Sequence, residues 1–437
     1  SSDVCSSDLR ERGEAVGATS RFRVRGESRV GPTTRIEVVT EGILTRMLHH
    51  APSLDGIGTI IFAAFHERSL LADTGLALVL GATGILRDDL RVLVMSATLD
   101  GAAVAALMHD APVIESVGRS WPVETRFTPL ATGTSIESHL AAVVRDTLSR
   151  ETGSLLVFLP GAGEIRRVAS LLADRLPDDV TVHALHGTLP AAEQDAAIAP
   201  APAGKRKVVL ATNVAETSLT IDGIRVVIDS GYERIPRFSP RNGMTRLETT
   251  RITRASADQR SGRAGRTGPG VAIRCWSHVE DAALAPTPRA EILDADLAPL
   301  VLDLAALDFI DPAELPWLDP PPAAAFAVGL ELLQQLGALD AAGRLTSHGR
   351  AMLRHGTQPR LAHLLICAEA DSPATLQRAG VIAALLDERD ILRGVGAAPP
   401  VDLELRVDAV ERQLDHAMLA GAEIDRGALA RVRERLS

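Results

Sequence analysis

The sequence predicts an α/β protein: two successive parallel-sheet units followed by a mainly helical region. Three observations predict it. Short apolar β-type runs alternate with helical patterns in the first part of the chain. A second series of the same kind begins near residue 125, and the β signal fades after about residue 285. Strands that are apolar on both faces and spaced by helices belong in a parallel sheet that helices cover.

The first series comprises the β-type runs "FRVRG", "RIEVVT", "TIIFAAF" and "RVLVMSAT", with "TEGILTRMLHH" and "SLLADTGLALVL" as helices between them. In the second, "GSLLVFLPG", "VTVHALHG", "RKVVLATN" and "IRVVIDSG" read as buried strands and "AGEIRRVASLLADRL" as a helix. "ERIPRFSPRNGMTRLETTRIT" reads as a hairpin about Asn242-Gly243, because Asn-Gly suits the positive φ angles of a tight turn. Two such units without a long linker imply stacked domains with a cleft between them.

Beyond residue 285, "AEILDADLAPLVLDLAAL" and "PPPAAAFAVGLELLQQLGAL" are helical, separated by the breaker-rich "DPAELPWLDPPP". "GRLTSHGRAMLRHG" suits a short hairpin leading into a helix, and the remainder reads as helical. The opening "SSDVCSSDL" is polar and aperiodic, a tail outside the fold. The expected divisions are a tail at 1–9, sheet domains at 10–124 and 125–285, a winged-helix-like domain at 286–355 and a helical region at 356–437.

Composition narrows the function classes. At 437 residues and 46% hydrophobic, the chain can bury several cores. No apolar run approaches the roughly 20 residues of a membrane helix and no segment reads as a signal peptide, so a cytoplasmic protein without a membrane partner is expected. Cys5, Cys275 and Cys367 lie far apart with no metal-like spacing, so neither a disulfide framework nor a structural metal is expected. A net charge of −10 argues against a chain that coats nucleic acid through its overall field. Yet nine arginines from Arg234 to Arg266 face only Glu248 and Asp258. Such a patch suits phosphate binding, and equally a solvated arginine-rich face. The two lysines, Lys205 and Lys207, do not follow a G-x-x-x-x-G run, so no phosphate-binding loop of that kind is present.

Four stretches carry the chemistry together: "FHERS", "VMSATLD" with Ser96-Ala97-Thr98 at a strand end, "LATNVAETSLTIDG" and "QRSGRAGR". Each alone fits a strand end, a cap or a loop. All four fall at the strand-to-helix edge where α/β sheets bind ligands, and that coincidence points to one site.

With these motifs, and with "TEGILTRML", the chain resembles the superfamily-two helicases of the DEAH-box group, and most closely the bacterial HrpB-type ATP-dependent helicases. The likeness runs from about Val24 to the C-terminus, with "TEGILTRML" as motif Ib, "FHERS" as motif II, "SAT" as motif III and the last two stretches as motifs V and VI. It implies two tandem recA-like domains, a winged helix and a ratchet-like helical region. It also implies ATP and Mg2+ as cofactors, and a monomer acting on single-stranded nucleic acid, RNA rather than DNA.

Roles follow by the same resemblance. Arg263 and Arg266 are the fingers reaching a phosphate across the cleft, and Gln259 positions the attacking water. Thr220 and Asp222 contact the nucleotide ribose, while Thr212, Asn213 and Thr217, with Thr40 and Gly42, face the nucleic-acid backbone. Ser96 and Thr98 link hydrolysis to strand separation, and His66 belongs to motif II. Phosphoryl transfer is mainly positioning and electrostatics, which guanidinium forks serve well. If the segment is helical, Arg263 and Arg266 share a face, where they would also serve as ordinary salt-bridge partners.

One departure stands out. Ala63 and Ala64 occupy the family's Asp and Glu positions in motif II, and alanine offers no oxygen to a cation or a proton. The phosphate loop would lie upstream of residue 10. The chain as written is therefore expected to hydrolyse ATP negligibly. The alternative reading is a non-catalytic nucleic-acid-binding module. An inner strand of the first sheet is also expected to be missing, leaving unpaired strand edges.

Overall fold

The computed structural model describes residues 20–24, 27–28, 34–97, 101–116, 121–173, 175–216, 219–239, 243–394, 398–412, 418–419 and 422–436. The chain divides into two compact units, Ser1–Asp296 with Ala313–Pro322, and Leu297–Pro312 with Ala323–Ser437.

In the first unit, strands β1 (Ser20–Val24), β2 (Glu27–Ser28) and β3 (Ile36–Val39) form one small sheet, in which β1 and β3 are parallel. Strands β4 (Thr59–Phe62) and β5 (Arg91–Val94) pair in parallel as a separate ribbon. All four runs read as strands in this region do form strands, but they do not join into one sheet among the described residues. Nor are both faces covered. On β4, Ile60 and Phe62 are buried whereas Ile61 is 56% exposed, and its neighbour Leu93 on β5 is 46% exposed. The expectation of a sheet buried on both sides fails here, because helix Leu70–Ile85 supplies only one apolar cover: Phe62 lies against its Gly75.

This unit also holds a larger sheet. It has six parallel strands in the order β6-β13-β10-β7-β9-β8: β6 (Val123–Phe127), β7 (Ser154–Phe158), β8 (Val180–Leu185), β9 (Arg206–Ala211), β10 (Ile224–Asp229) and β13 (Gly270–Arg274). Its middle strands are buried on both faces, as their unbroken apolar sequence dictates. One face packs Leu155, Val157, Val208, Leu210, Val226 and Ile228 against helices Ile136–Arg150 and Ala162–Leu172. β6 and β13 went unrecognised in the sequence, since "VETRF" and "GVAIR" are short and follow Pro and Gly.

β11 (Tyr232–Ser239) and β12 (Met244–Arg251) form the expected hairpin, with Ser239 opposite Met244. Gly243 has φ +64°, while Asn242 lies outside the described residues. One of the two lysines is structural in this lobe. The Lys207 ammonium is buried and donates to the carbonyls of Ala197, Ile198 and Ala199, closing the end of helix Ala191–Ile198.

In the second unit, helices Ala298–Ala306 and Ala323–Gln335 precede an isolated antiparallel bridge, Leu339 to Leu345, and helix Ser347–His355. This is the hairpin-into-helix order expected there. The last region is not wholly helical. Strands β14 (Leu392–Gly394), β15 (Met418–Leu419) and β16 (Ala422–Ile424) form a small antiparallel sheet among its helices. Strands of two or three residues are too short to show a period of two, so the sequence hid them.

Candidate nucleotide and nucleic-acid site

Motif VI is built from a helix and a tighter turn. The helix Arg254–Gly262 starts at Thr253, whose hydroxyl caps Ser256 N–H, and a 3-10 turn spans Arg263–Gly265. Arg263 and Arg266 therefore leave the end of a helix rather than line its face, yet three-residue spacing still aligns them in a 3-10 turn. Gly265 is required for close approach: a Cβ there would stand 2.7 Å from Trp121 O, just before β6. Gly262, in the same motif, meets no such neighbour.

Both guanidinium groups aim at motif V of their own lobe. Arg263 is buried, and its Nε donates to Glu216 O at 2.8 Å, its Nη1 to Leu219 O at 2.6 Å and its Nη2 again to Glu216 O. Arg266 Nη1 donates to Thr220 Oγ1 at 2.6 Å. Burial, with the Arg266 charge beside it, lowers the Arg263 pKa to about 10; burial lowers that of Arg266 as well. Arg263 is buried and Arg266 exposed, and the two cations, paired with neutral oxygens alone in these bonds, form a site that gains from an anion.

The arginine that carries the ion pairs is Arg260, which sequence reasoning passed over. Only 1% exposed, it holds Glu216 Oε2 at 2.7 Å, Asp229 Oδ1 at 3.1 Å and Glu233 Oε2 at 3.6 Å. Its guanidinium also lies 4.9 Å from the Phe158 ring centroid. Burial opposes its charge, but Asp229, Glu216 and Glu233 outweigh it and raise its pKa. Glu233 opens the β11–β12 hairpin and Glu216 sits in motif V, so one buried side chain ties three elements together. Its position inside "QRSGRAGR" was the available signal.

Motif II keeps its turn without its carboxylates. Ala63 and Ala64 are exposed at the end of β4, and Ala64 is left-handed at φ +54°. Phe65 N–H donates to Met95 O at 3.0 Å, which locks the turn to the end of β5. Arg68 is structural: it forks onto Asp73 at 3.0 and 2.9 Å and reaches Asp319 at 2.7 Å. His66 Nδ1 accepts a long 3.4 Å bond from Ala97 N–H, joining motif II to motif III, and its buried Nε2 has no partner among the described residues. Burial lowers the His66 pKa, against Glu67 and the Glu216 carboxylate, which pull it up.

The other named residues are placed as follows. Thr40 precedes helix Glu41–His50 and Thr212 precedes the turn Asn213–Ala215; neither side chain caps its element. Gly42 lies in the first turn of that helix, with room for a Cβ 3.8 Å from Leu71. Asn213, Asp222 and Ser96 are exposed, and Gln259 is half-buried in the motif VI helix. Thr98 and Thr217 lie outside the described residues.

The residues present do not fit a magnesium ion. The two motif II positions are methyl groups, and no His, Cys, Asp and Glu grouping among the described residues could hold a metal. The arginine pair with Thr220 fits an anionic oxygen.

A six-stranded parallel sheet presenting motifs V and VI at one site defines the second recA-like lobe of a helicase core, and the comparisons agree. The helicase conserved C-terminal domain matches residues 138–268, and the winged-helix helicase associated domain (HA2) matches residues 329–354. The ATP-dependent RNA helicase HrpB of Escherichia coli (strain K12) is 48% identical over 375 residues, 86% of this chain and 46% of the relative. The pre-mRNA-splicing factor ATP-dependent RNA helicase prp22 of Schizosaccharomyces pombe (strain 972 / ATCC 24843) is 38% identical over 354 residues, 79% of this chain and 30% of the relative. The crystal structure of Escherichia coli DEAH/RHA helicase HrpB superposes with a TM-score of 0.86 at 42% identity, over all of this chain and 53% of that one. The structure of the E. coli DExH-box NTPase HrpB gives 0.82 at 42% identity, over all of this chain and 51% of that one. By sequence and fold the chain is of the DEAH-box helicase family, HrpB type. It spans about half the length, or less, of these relatives.

Proposed function

We propose that the chain comprises first-lobe elements, the second lobe and the winged helix of an ATP-dependent RNA helicase of this type, and that with Ala63 and Ala64 in motif II it binds RNA without appreciable ATP hydrolysis. Residues 10–124 and 125–285 are its two lobes, 286–355 its winged helix and 356–437 its helical region. The observation that carries this reading is the convergence of Arg263 and Arg266 on Leu219 and Thr220, with Arg260 holding Glu216 behind them.

In an intact relative the pair would meet the transferred phosphoryl group and neutralise its equatorial oxygens. Thr220 and Asp222 lie on one loop for the ribose, and Gln259, on the motif VI helix, serves the water. When bound, Mg2+ would supply charge neutralisation on the phosphates; no grouping among the described residues fits it, and no hydrolytic step is derived. Thr40, Gly42, Thr212, Asn213 and Thr217 supply backbone contacts, which fix register without reading sequence. We read the protein as cytoplasmic, bacterial and monomeric; no described helix is long and apolar enough to cross a membrane.

RNA binding followed by fluorescence anisotropy, with and without ATP, tests the reading together with an RNA-stimulated ATPase assay. Expected are salt-dependent RNA binding and turnover lower than that of an intact relative by at least the ~10²–10⁴ attributed to a general base. Turnover near the relative's would overturn the impairment, and absence of RNA binding would overturn the whole.

A further inference from the structure

Outside the motifs, the second unit holds a cluster of nucleophile and bases that the helicase reading does not use. Cys367 and His363 stand one turn apart on helix Pro359–Asp371, with Cys367 Sγ 3.6 Å from His363 Nε2. His363 Nδ1 in turn lies 2.9 Å from Nε2 of His348, on the neighbouring helix Ser347–His355, with the two rings edge to face. Cys367 is an exposed free thiol.

The same thiol lines an open cavity of about 810 Å³ between this helix, helix Pro373–Asp387 and Glu411. Leu364 and Ile382 supply apolar wall, Gln377 a hydrogen-bonding group and Arg378 a cation, while the Thr375 hydroxyl is taken by Asp371 and Ser372. Among the described residues, Arg378 has a long 3.7 Å contact with exposed Glu404. The volume is that of a small-molecule site.

We propose that Cys367 is a reactive thiol served by a His363–His348 relay, and a site of covalent modification by small disulfides that carry a carboxylate. With His363 Nε2 open to the thiol proton, its Nδ1 carries a hydrogen that His348 Nε2 accepts. Burial and the adjacent His363 lower the His348 pKa, so His348 stays a neutral acceptor. In the reaction, His363 takes the thiol proton as Cys367 sulfur attacks one sulfur of the disulfide. The S–S bond of the reagent breaks, its departing sulfur recovers the proton from His363, and one free thiol is released. The disulfide is the oxidant consumed, and the chain gains one mixed disulfide. Base-assisted attack by a thiol beside a histidine is the general logic of activated cysteines.

The test uses the whole chain and two probes, iodoacetamide and oxidised glutathione, with peptide mass mapping to separate Cys367 from Cys5 and Cys275. Expected is alkylation of Cys367 at neutral pH about tenfold faster than N-acetylcysteine, falling to that reference in His363→Gln and partway in His348→Gln. Arg378→Ala should slow mixed-disulfide formation with oxidised glutathione while leaving iodoacetamide rates unchanged. Thermal melts identify any variant that fails to fold, and the other relay variant then decides. Reaction at the reference rate, or no change in the relay variants, overturns the relay. Equal slowing of both probes by Arg378→Ala overturns the carboxylate preference.

Discussion

The Arg260 guanidinium and the Glu216 carboxylate form an ion pair with both side chains buried, Nε to Oε2 at 2.7 Å, and it binds motif VI to motif V. Asp229 and Glu233 converge on the same cation, so removing it leaves three carboxylates facing one another. Arg260→Ala is expected to cost about 3–5 kcal/mol, the usual penalty for an orphaned buried charge. Arg260→Lys keeps the charge but loses the fork and should recover only part of it. Urea unfolding of the two variants beside the parent checks this; a loss below about 1 kcal/mol for Arg260→Ala would contradict the buried-pair account.

Lys207 makes a second, independent prediction. Its ammonium satisfies three carbonyls at the end of helix Ala191–Ile198. Lys207→Met fills the stem's space but leaves those oxygens without a donor, a loss of about 1–3 kcal/mol. Lys205, which is exposed, should tolerate the same change within about 0.5 kcal/mol. Denaturant midpoints for the pair of variants measure the difference.

The two faces of β4 should respond in opposite ways. Phe62 is buried, so Phe62→Ala is expected to cost about 3–5 kcal/mol. Ile61 and Leu93 form part of an open apolar face, so changing both to Thr should leave stability within about 1 kcal/mol and reduce self-association. Light scattering against concentration reads the second effect. Limited proteolysis should cut residues 1–120 before 126–285, since only the latter region holds the six-stranded sheet.

Asp303 sets a pH dependence in the second unit. Burial pushes its carboxyl up to about 7, whereas the unfolded value is near 4. Between those values the folded chain keeps a proton that the unfolded chain has released. Stability should therefore fall as pH rises through this window, by up to about 1 kcal/mol per pH unit, and Asp303→Asn should flatten the slope. Unfolding at about pH 5 and about pH 7.5, on parent and variant, decides the matter. An unchanged slope in the variant would assign the effect to another group.

Much of the site was legible because its chemistry is written in short contiguous runs. "ATNVAETSLTIDG" and "QRSGRAGR" each pass from a strand or helix end into a turn, where side-chain types follow directly from the neighbours they must meet. The partners of Arg263 were not legible. Nothing in a string of residues says that a guanidinium will satisfy the carbonyls of Glu216 and Leu219 in its own lobe, 47 and 44 residues away. Arg260 was missed for the same reason, since its three carboxylates come from three separate elements.

By itself, the sequence determined the strand and helix periods, the hairpin, the motif order and the loss of oxygen ligands at Ala63 and Ala64, because these depend on side-chain type and local spacing. Tertiary structure alone decided which face of β4 stays open, which arginine carries the buried charges, and how Cys367 meets two histidines beside a cavity. Those outcomes depend on burial and on contacts between distant segments. Both become defined only once the chain has closed on itself and water has left the spaces between its elements.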